Sequence, residues 1–401
     1  HMAAIAFDNM FYYLLICLLF FGVGDLLGVA TKAKVSAVFV SLFLFLAGFM
    51  SGLIPPDIIK KAGLQDLGKI AVIFVVFSMG TTINFRELIA EWRTVATALL
   101  SMLAVLICGL VLIPIIGKQE TIVSLPIVTG GIVATQIMTN AAMEQGFALA
   151  AALGTIIFAI QKFLGSPVAS YFGLREARVI LAEYRQNKEA FEHDAAAQAA
   201  AKATEANKKL TFFERNKKYY GPFTCLAITA FFCWISFLIG KATNLSPTIW
   251  ALILGAAVST TGLLPSNILK HANSAGLFNC ATFATIIPSL AKITMDDLST
   301  LGMMVVALFV VVFVALFLCF YILPLWKILG SRNVAMGVAC CQLLGFPATY
   351  LIVNEVAQAA ASNEDEKKAI TDRLMPKYLV GGFTTVTSFS VIIAGFMAPY
   401  V

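Results

Sequence analysis

The sequence predicts an all-α polytopic membrane protein built from two inverted repeats of five transmembrane helices, each repeat with a re-entrant hairpin. Three observations predict this fold class. Of the 401 residues, 60% are hydrophobic and 12% are charged, whereas about a quarter of an average soluble domain is charged. Ten apolar runs are long enough to cross a hydrocarbon core of about 30 Å. A pattern in the first half of the sequence also recurs in the second half.

The predicted spans are helices of roughly 20 residues each. They lie near residues 11–30, 35–54, 66–83, 93–117, 146–172, 222–241, 246–264, 275–292, 300–327 and 374–398. Two further stretches, 120–145 and 331–360, are long enough to enter the membrane but carry Gly, Pro, Thr, Gln and Asn in their middles. Irregular backbone survives at membrane depth only where protein or a watery cavity satisfies its polar groups. We therefore predict that each stretch is a re-entrant hairpin that lines a pathway.

The two halves of the chain share a pattern at a constant offset. SGLIPPDIIKKAG (Ser51–Gly63) aligns with TGLLPSNILKHAN (Thr261–Asn273), and the same offset of 210 residues pairs Pro114 with Pro324. Each half holds five predicted spans. Because five is odd, two halves joined by a linker on one side of the membrane run in opposite senses, which makes the repeat an inverted one.

The charged segment between the halves is predicted to be a cytoplasmic linker. Residues 174–220 hold ten Lys/Arg and seven Asp/Glu. With this linker inside, 21 Lys/Arg face the cytoplasm and six face outside, as the positive-inside rule requires. The predicted organisation is a first repeat at 1–172, the linker at 173–220 and a second repeat at 221–401. We place it in a bacterial-type inner membrane with both termini outside.

The composition argues against several other classes of protein. The eight cysteines all fall inside apolar runs without metal-ligand spacing, and the three histidines have no ligand-spaced neighbours. The sequence contains no Ser/His/Asp set, no paired catalytic carboxylates and no phosphate loop. A net charge of +6 fits basic cytoplasmic loops better than nucleic-acid binding. We therefore expect neither an enzyme nor a nucleic-acid-binding protein, and no metal or organic cofactor.

Five motifs resemble the glutamate:sodium symporter family. They are FSMGTTINFREL (Phe77–Leu88), VTGGIVATQ (Val128–Gln136), GSPVASYFG (Gly165–Gly173), GVACCQLLGFPATYLIVNEV (Gly337–Val356) and VGGFTTVTSFSVII (Val380–Ile393). The resemblance implies a secondary active transporter of a small organic anion, either a glutamate-like amino acid or a carboxylate, with Na⁺ as the coupling ion of symport. An H⁺-coupled or exchange carrier of another carboxylate is the alternative, and an ion channel is a more distant one.

The same resemblance implies an elevator motion and a homodimer in the lipid bilayer. Transport-domain helices at 66–172 and 275–398 would move against scaffold helices at 11–54 and 222–264. The chain departs from the family in two places. The first hairpin lacks the family's His, and Val386 or Thr387 stands where the family has an Asp. Both departures weaken the assignment of glutamate itself as the substrate.

The predicted substrate-binding residues lie at the two hairpin tips. A hairpin tip exposes helix ends, where unpaired N–H groups favour a carboxylate and unpaired carbonyl groups favour a cation. These residues are Thr129, Gly130, Gly131, Thr135, Gln136, Thr139, Asn140, Gln342, Gly345, Pro347, Ala348, Thr349 and Asn354. The alternative is that small and hydroxyl-bearing residues merely allow close helix packing in lipid.

The predicted coupling residues lie in the spans that follow the hairpins. They are Lys162, Gln161, Thr384, Thr385, Thr387 and Ser388. Lys162 is deep in its span, with no acidic residue within a helical turn, so its ammonium group could attract an anion, replace a bound cation or titrate. The alternatives are a lysine that reaches the interface, and hydroxyl groups that bond to their own helix.

Overall fold

The computed structural model describes residues 6–30, 37–206, 210–345 and 348–401, and within these ranges it is helical without strands. The helices of eight or more residues are α1 (Met10–Ala30), α2 (Ala37–Met50), α3 (Leu64–Thr81), α4 (Trp92–Gly109), α5 (Lys118–Val128), α6 (Ile132–Glu144), α7 (Ala148–Gln186), α8 (Lys188–Ala206), α9 (Pro222–Thr243), α10 (Pro247–Thr260), α11 (Ala275–Ala284), α12 (Met295–Phe317), α13 (Arg332–Cys340), α14 (Ala348–Ala360), α15 (Glu364–Gly382) and α16 (Ser390–Met397).

The protein is a polytopic membrane protein. Seven helices of the described ranges are long and apolar enough to cross a membrane. The three shorter apolar helices are Ala37–Met50, Pro247–Thr260 and Ala275–Leu290. Together these helices coincide with the ten predicted spans, although their boundaries differ by several residues. The largest difference is in α7, which continues beyond the predicted end at residue 172 to Gln186.

Each of the two predicted hairpins is a pair of helices separated by a short break. The first break, residues 129–131, lies between α5 and α6. The second break lies between a 3₁₀ turn at Cys341–Leu343 and α14, and the structure describes it at Leu344 and Gly345. Gly345 has a φ angle of +66°, a conformation that glycine adopts without the steric cost of a side chain.

The long helix α7 packs against both hairpins. In its N-terminal part, Gly154 lies against Ile127 and Thr139 of the first hairpin. In its C-terminal part, Glu176 accepts a hydrogen bond of 2.7 Å from the hydroxyl group of Ser331, which caps α13. The first hairpin therefore lies along the N-terminal part of α7 and the second hairpin along its C-terminal part.

One hydrophobic core joins α3 to α9, α10 and α11. The backbones of α3 and α10 come close where Gly80 meets Gly255, because neither glycine has a side chain to separate them. At the end of α3, the hydroxyl oxygen of Ser78 accepts a hydrogen bond of 3.2 Å from the N–H group of Leu269. Helices of the first half thus pack directly on helices of the second half.

The order of elements is similar in residues 64–186 and 275–400. Each range has an apolar helix, a second apolar helix, a broken hairpin and a long closing helix. The opposite orientation of the two halves, their division into scaffold and transport helices, the elevator motion and the homodimer stay predictions.

Candidate functional site

The two breaks meet at one side chain of a third element. A Cβ atom added to Gly131 in the first break would lie 2.8 Å from Cγ1 of Val386, and one added to Gly345 in the second break would lie 2.9 Å from the same atom. Val386 belongs to a π-helical segment, Phe383–Phe389, between α15 and α16. We call the place where both breaks contact Val386 the hairpin crossing.

The π-helical segment contacts one hairpin at each of its ends. Gly382, just before it, lies against Thr349 of α14, and Ser390, just after it, lies against Gly130 of the first break. A π-helical turn has wider spacing than an α-helical turn, and such turns are frequent at functional sites. The segment therefore forms one wall shared by both hairpins.

The helix α7 also contacts both breaks, one helical turn apart. The side-chain amide of Gln161 donates a hydrogen bond of 2.8 Å to the carbonyl oxygen of Gly130. Four residues later, Gly165 packs against Leu343, just before the second break. Lys162 lies between these two contacts and is half-buried. Its ammonium group has no ion-pair or hydrogen-bond partner among the described residues.

Three buried oxygen atoms beside the breaks have no hydrogen-bond partner within the described ranges. They are Oε1 of Gln161, Oε1 of Gln342 and Oγ1 of Thr349. Buried polar groups are nearly always paired, and an unpaired one costs about 1–3 kcal/mol. These three oxygen atoms are therefore candidate partners for a bound ligand or ion.

The structure brings together part of the predicted set. The predicted residues at or next to the two breaks are Gly130, Gly131, Gln161, Gln342, Gly345 and Thr349. Lys162 follows Gln161 in α7. The hydroxyl groups that bond to carbonyl groups of their own helix are those of Thr129, Thr135, Thr139, Thr385 and Ser388. Five further predicted residues lie on elements next to the crossing and form no hydrogen bond to it within the described ranges. They are Gln136, Asn140, Ala348, Asn354 and Thr387. Pro347 lies outside the described residues.

Two predicted coupling residues line a cavity beside the π-helical segment. Thr384 and Ser388 face an apolar cavity of about 270 Å³, together with Leu252 of α10, Ile83 and Val95. This cavity lies between the π-helical segment and α10.

Two residues of the crossing were not predicted as site residues. Ser390 lies against the first break, and Val386 contacts both breaks. A serine and a valine inside an apolar run carry no helix-breaking or charge signal. Only the packing of three elements that are distant in sequence identifies them.

No family model and no curated protein matches the chain. Among solved structures, the chain is similar to the sodium proton antiporter MjNhaP1 from Methanocaldococcus jannaschii. The two chains are 16% identical, the match covers 97% of this chain and 98% of the antiporter, and the TM-score is 0.41. A TM-score of 0.41 is too low to establish a shared fold.

The predicted membership of the glutamate:sodium symporter family is wrong. No family model supports it, and a solved structure to which the chain is similar is that of a sodium proton antiporter. The motifs behind the resemblance are rich in Gly, Ser and Thr. Any membrane protein with broken helices and close helix contacts favours these residues, so they indicate an architecture and not a family.

Proposed function

We propose that the protein is a secondary carrier and that the hairpin crossing is its transport site. The two hairpins lie along opposite parts of α7, so each break reaches the middle of this helix from a different end. Sites at that depth, formed by broken helices, are those at which carriers expose a substrate alternately to the two sides. The meeting of both breaks at Val386 is the observation that carries the proposal.

The charge at the crossing favours a small organic anion. Helices α6 and α14 begin at the breaks, so the positive ends of two helix dipoles lie there. No side chain caps the N-terminus of α6. Lys162 adds a positive charge, and no Asp or Glu occurs within six residues of Lys162, of either break or of Val386. This uncompensated charge supports a carboxylate or an amino-acid-like substrate.

A second candidate is Na⁺, either as the coupling ion or as the transported ion. The unpaired oxygen atoms of Gln161, Gln342 and Thr349 are neutral oxygen ligands, the type that holds Na⁺ beside broken helices. An anion and Na⁺ bound at the same crossing would attract each other, which favours symport. Proton coupling through Lys162 is the alternative to Na⁺ coupling.

Counterflow in proteoliposomes tests the proposal. The purified protein should exchange a radiolabelled carboxylate for an unlabelled one with saturable kinetics, using a panel of glutamate, succinate, citrate and pyruvate. Lys162→Ala should lower the rate about tenfold or more, because a hydrogen bond to a charged group contributes about 1.5–3 kcal/mol. Gln342→Leu should raise the Na⁺ concentration required for half-maximal rate if Na⁺ is the coupling ion.

The matched control is Lys241→Ala. The ammonium group of Lys241, in the last turn of α9, lies 5.3 Å from the ring centre of Phe237, so its loss should leave the rate unchanged. Wild-type counterflow by Lys162→Ala would contradict the role of Lys162. Na⁺ transport without counterflow of any carboxylate would replace the anion carrier by a cation carrier, and unsaturable flux would indicate a channel.

A further inference from the structure

A cluster of basic and aromatic side chains surrounds Tyr321, near the C-terminal part of α7. Tyr321 belongs to a π-helical turn at the end of α12. The guanidinium carbon of Arg332 lies 5.6 Å from the centre of the Tyr321 ring, and the ring of Phe172, in α7, lies 5.9 Å from the Tyr321 ring. Arg175 donates a hydrogen bond of 3.4 Å to the hydroxyl group of Tyr171. Each of the two guanidinium groups therefore lies on a tyrosine of the cluster.

Trp326 and Lys327 extend this cluster. The guanidinium carbon of Arg332 lies 4.9 Å from the centre of the Trp326 ring, and the side chain of Lys327 is exposed. Arg175 and Arg332 are exposed as well. Tyrosine, tryptophan and basic residues at the end of an apolar helix are typical of the membrane interface. The cluster thus has the composition of a surface at headgroup level.

The positive charge of the cluster is not neutralised. In the part of the chain that the structure describes, neither arginine has a carboxylate oxygen within 4 Å, because the ion pairs involve other residues. The acidic residue beside Arg175 in sequence is Glu176, and its carboxylate accepts the hydrogen bond of Ser331. Three basic groups against one carboxylate leave a net positive charge.

We propose that this cluster binds the phosphate group of an anionic phospholipid. Two guanidinium groups match the oxygen atoms of a phosphate diester, and basic pockets between membrane helices hold such headgroups. A free phosphate would offer the same oxygen atoms without acyl chains. The side chains of Ile322 and Leu323, next to Tyr321, are 56% and 51% exposed, and they give the acyl chains an apolar surface. The lipid is therefore the ligand to which the surface is complementary.

The bound lipid would contact the base of the second hairpin. Arg332 is the first residue of α13, and Arg175 belongs to α7. A phosphate held by both arginines would join these two helices beside the hydrogen bond between Ser331 and Glu176. This inference does not depend on the proposed transport function.

Native mass spectrometry of the full-length protein in detergent tests the proposal. The wild type should retain added phosphatidylglycerol and not phosphatidylcholine. Each basic residue near an anionic lipid contributes about fivefold in affinity, so Arg175→Gln/Arg332→Gln should bind phosphatidylglycerol about 30-fold more weakly. Arg175→Lys/Arg332→Lys keeps the charge but not the forked geometry of two guanidinium groups, and should give an intermediate loss.

The matched control is Arg93→Gln. The guanidinium carbon of Arg93 lies 5.5 Å from the ring centre of Trp92, so this variant removes an arginine on an aromatic ring outside the cluster. Its retention of phosphatidylglycerol should equal that of the wild type. Equal retention by the double glutamine variant, with an unchanged melting temperature, would overturn the site. Displacement of the lipid by millimolar inorganic phosphate would assign the site to free phosphate and overturn the lipid.

Discussion

The side chain of Val386 lies between the two hairpin breaks. Its side chain is branched at Cβ, so its χ1 angle is restricted and its methyl groups have fixed positions. Gly131 and Gly345 approach the same methyl carbon from two hairpins. A glycine is needed on each side for this approach, but for partly different reasons, because the two backbones differ in conformation.

Gly131→Ala should destabilise the protein by about 1–3 kcal/mol, the usual cost of overpacking. The added methyl group would lie 2.8 Å from Cγ1 of Val386, whereas a φ angle of −121° suits any residue. Crowding is thus the cause, and Val386→Ala should relieve it. The melting temperature in detergent should be higher for Gly131→Ala/Val386→Ala than for Gly131→Ala. Simple addition of the two single effects would show that the residues are not in contact.

Gly345→Ala should be rescued only in part by the same change at Val386. Its φ angle is +66°, where a side chain costs about 1–2 kcal/mol whatever its neighbours are. Val386→Ala removes the crowding at 2.9 Å but leaves this backbone cost. In the same melting experiment, complete recovery of Gly345→Ala would contradict the left-handed conformation of Gly345.

Helices α7 and α15 are joined beyond the hairpin crossing by two ion pairs. Arg185 donates hydrogen bonds of 2.8 and 3.2 Å to the carboxylate of Glu366, and Arg373 donates one of 2.7 Å to Glu183. The Arg185 guanidinium, together with the N–H group of Ser362, lowers the pKa of Glu366 from 4.5 to about 2. Since this pKa is depressed, the stabilisation is complete at neutral pH and is lost as the pH falls towards 2.

Reversing one charge should separate the ends of α7 and α15. Arg185→Glu places two carboxylates together and should lower the melting temperature in detergent. Arg185→Glu/Glu366→Arg should recover part of the loss, because it restores the ion pair but not the hydrogen bond from Ser362. A double variant as unstable as the single variant would contradict the ion pair.

The control for this charge reversal is a pair at the surface. Lys69 and Asp66 lie 3.5 Å apart, with side chains 69% and 95% exposed. Exposed pairs contribute little to stability. Lys69→Glu should therefore leave the melting temperature almost unchanged.

The sequence predicts the helices and the breaks of this molecule better than the contacts between them. The spans are predictable because each needs a long apolar run, and the breaks because Gly and polar residues interrupt such a run. Val386 is not predictable, since its contacts join three elements that are far apart in sequence. The extension of α7 to Gln186 is also missed, because apolar length marks where a span can end and not where its helix ends.

The helix α7 is long enough to hold the segments at its two ends on opposite sides of a membrane. Its 39 residues extend about 58 Å at about 1.5 Å per residue, whereas the hydrocarbon core is about 30 Å thick. Gln145, just before α7, and Gln198, in α8, are both exposed. If α7 crosses the membrane, these residues lie on opposite sides, whichever side is the cytoplasm.

Labelling of single cysteines in a cysteine-free variant tests the orientation of the first half in the membrane. The positive-inside rule predicts that Gln198 is in the cytoplasm, so Gln145→Cys and Gln65→Cys should react with an impermeant maleimide in intact cells, and Gln198→Cys only in inverted vesicles. Gln65 is exposed at the start of α3, and three predicted spans separate it from the linker. Labelling of Gln65→Cys and Gln198→Cys from the same side would require an even number of spans between them. The two halves would then run in the same sense, and the inverted repeat would be wrong.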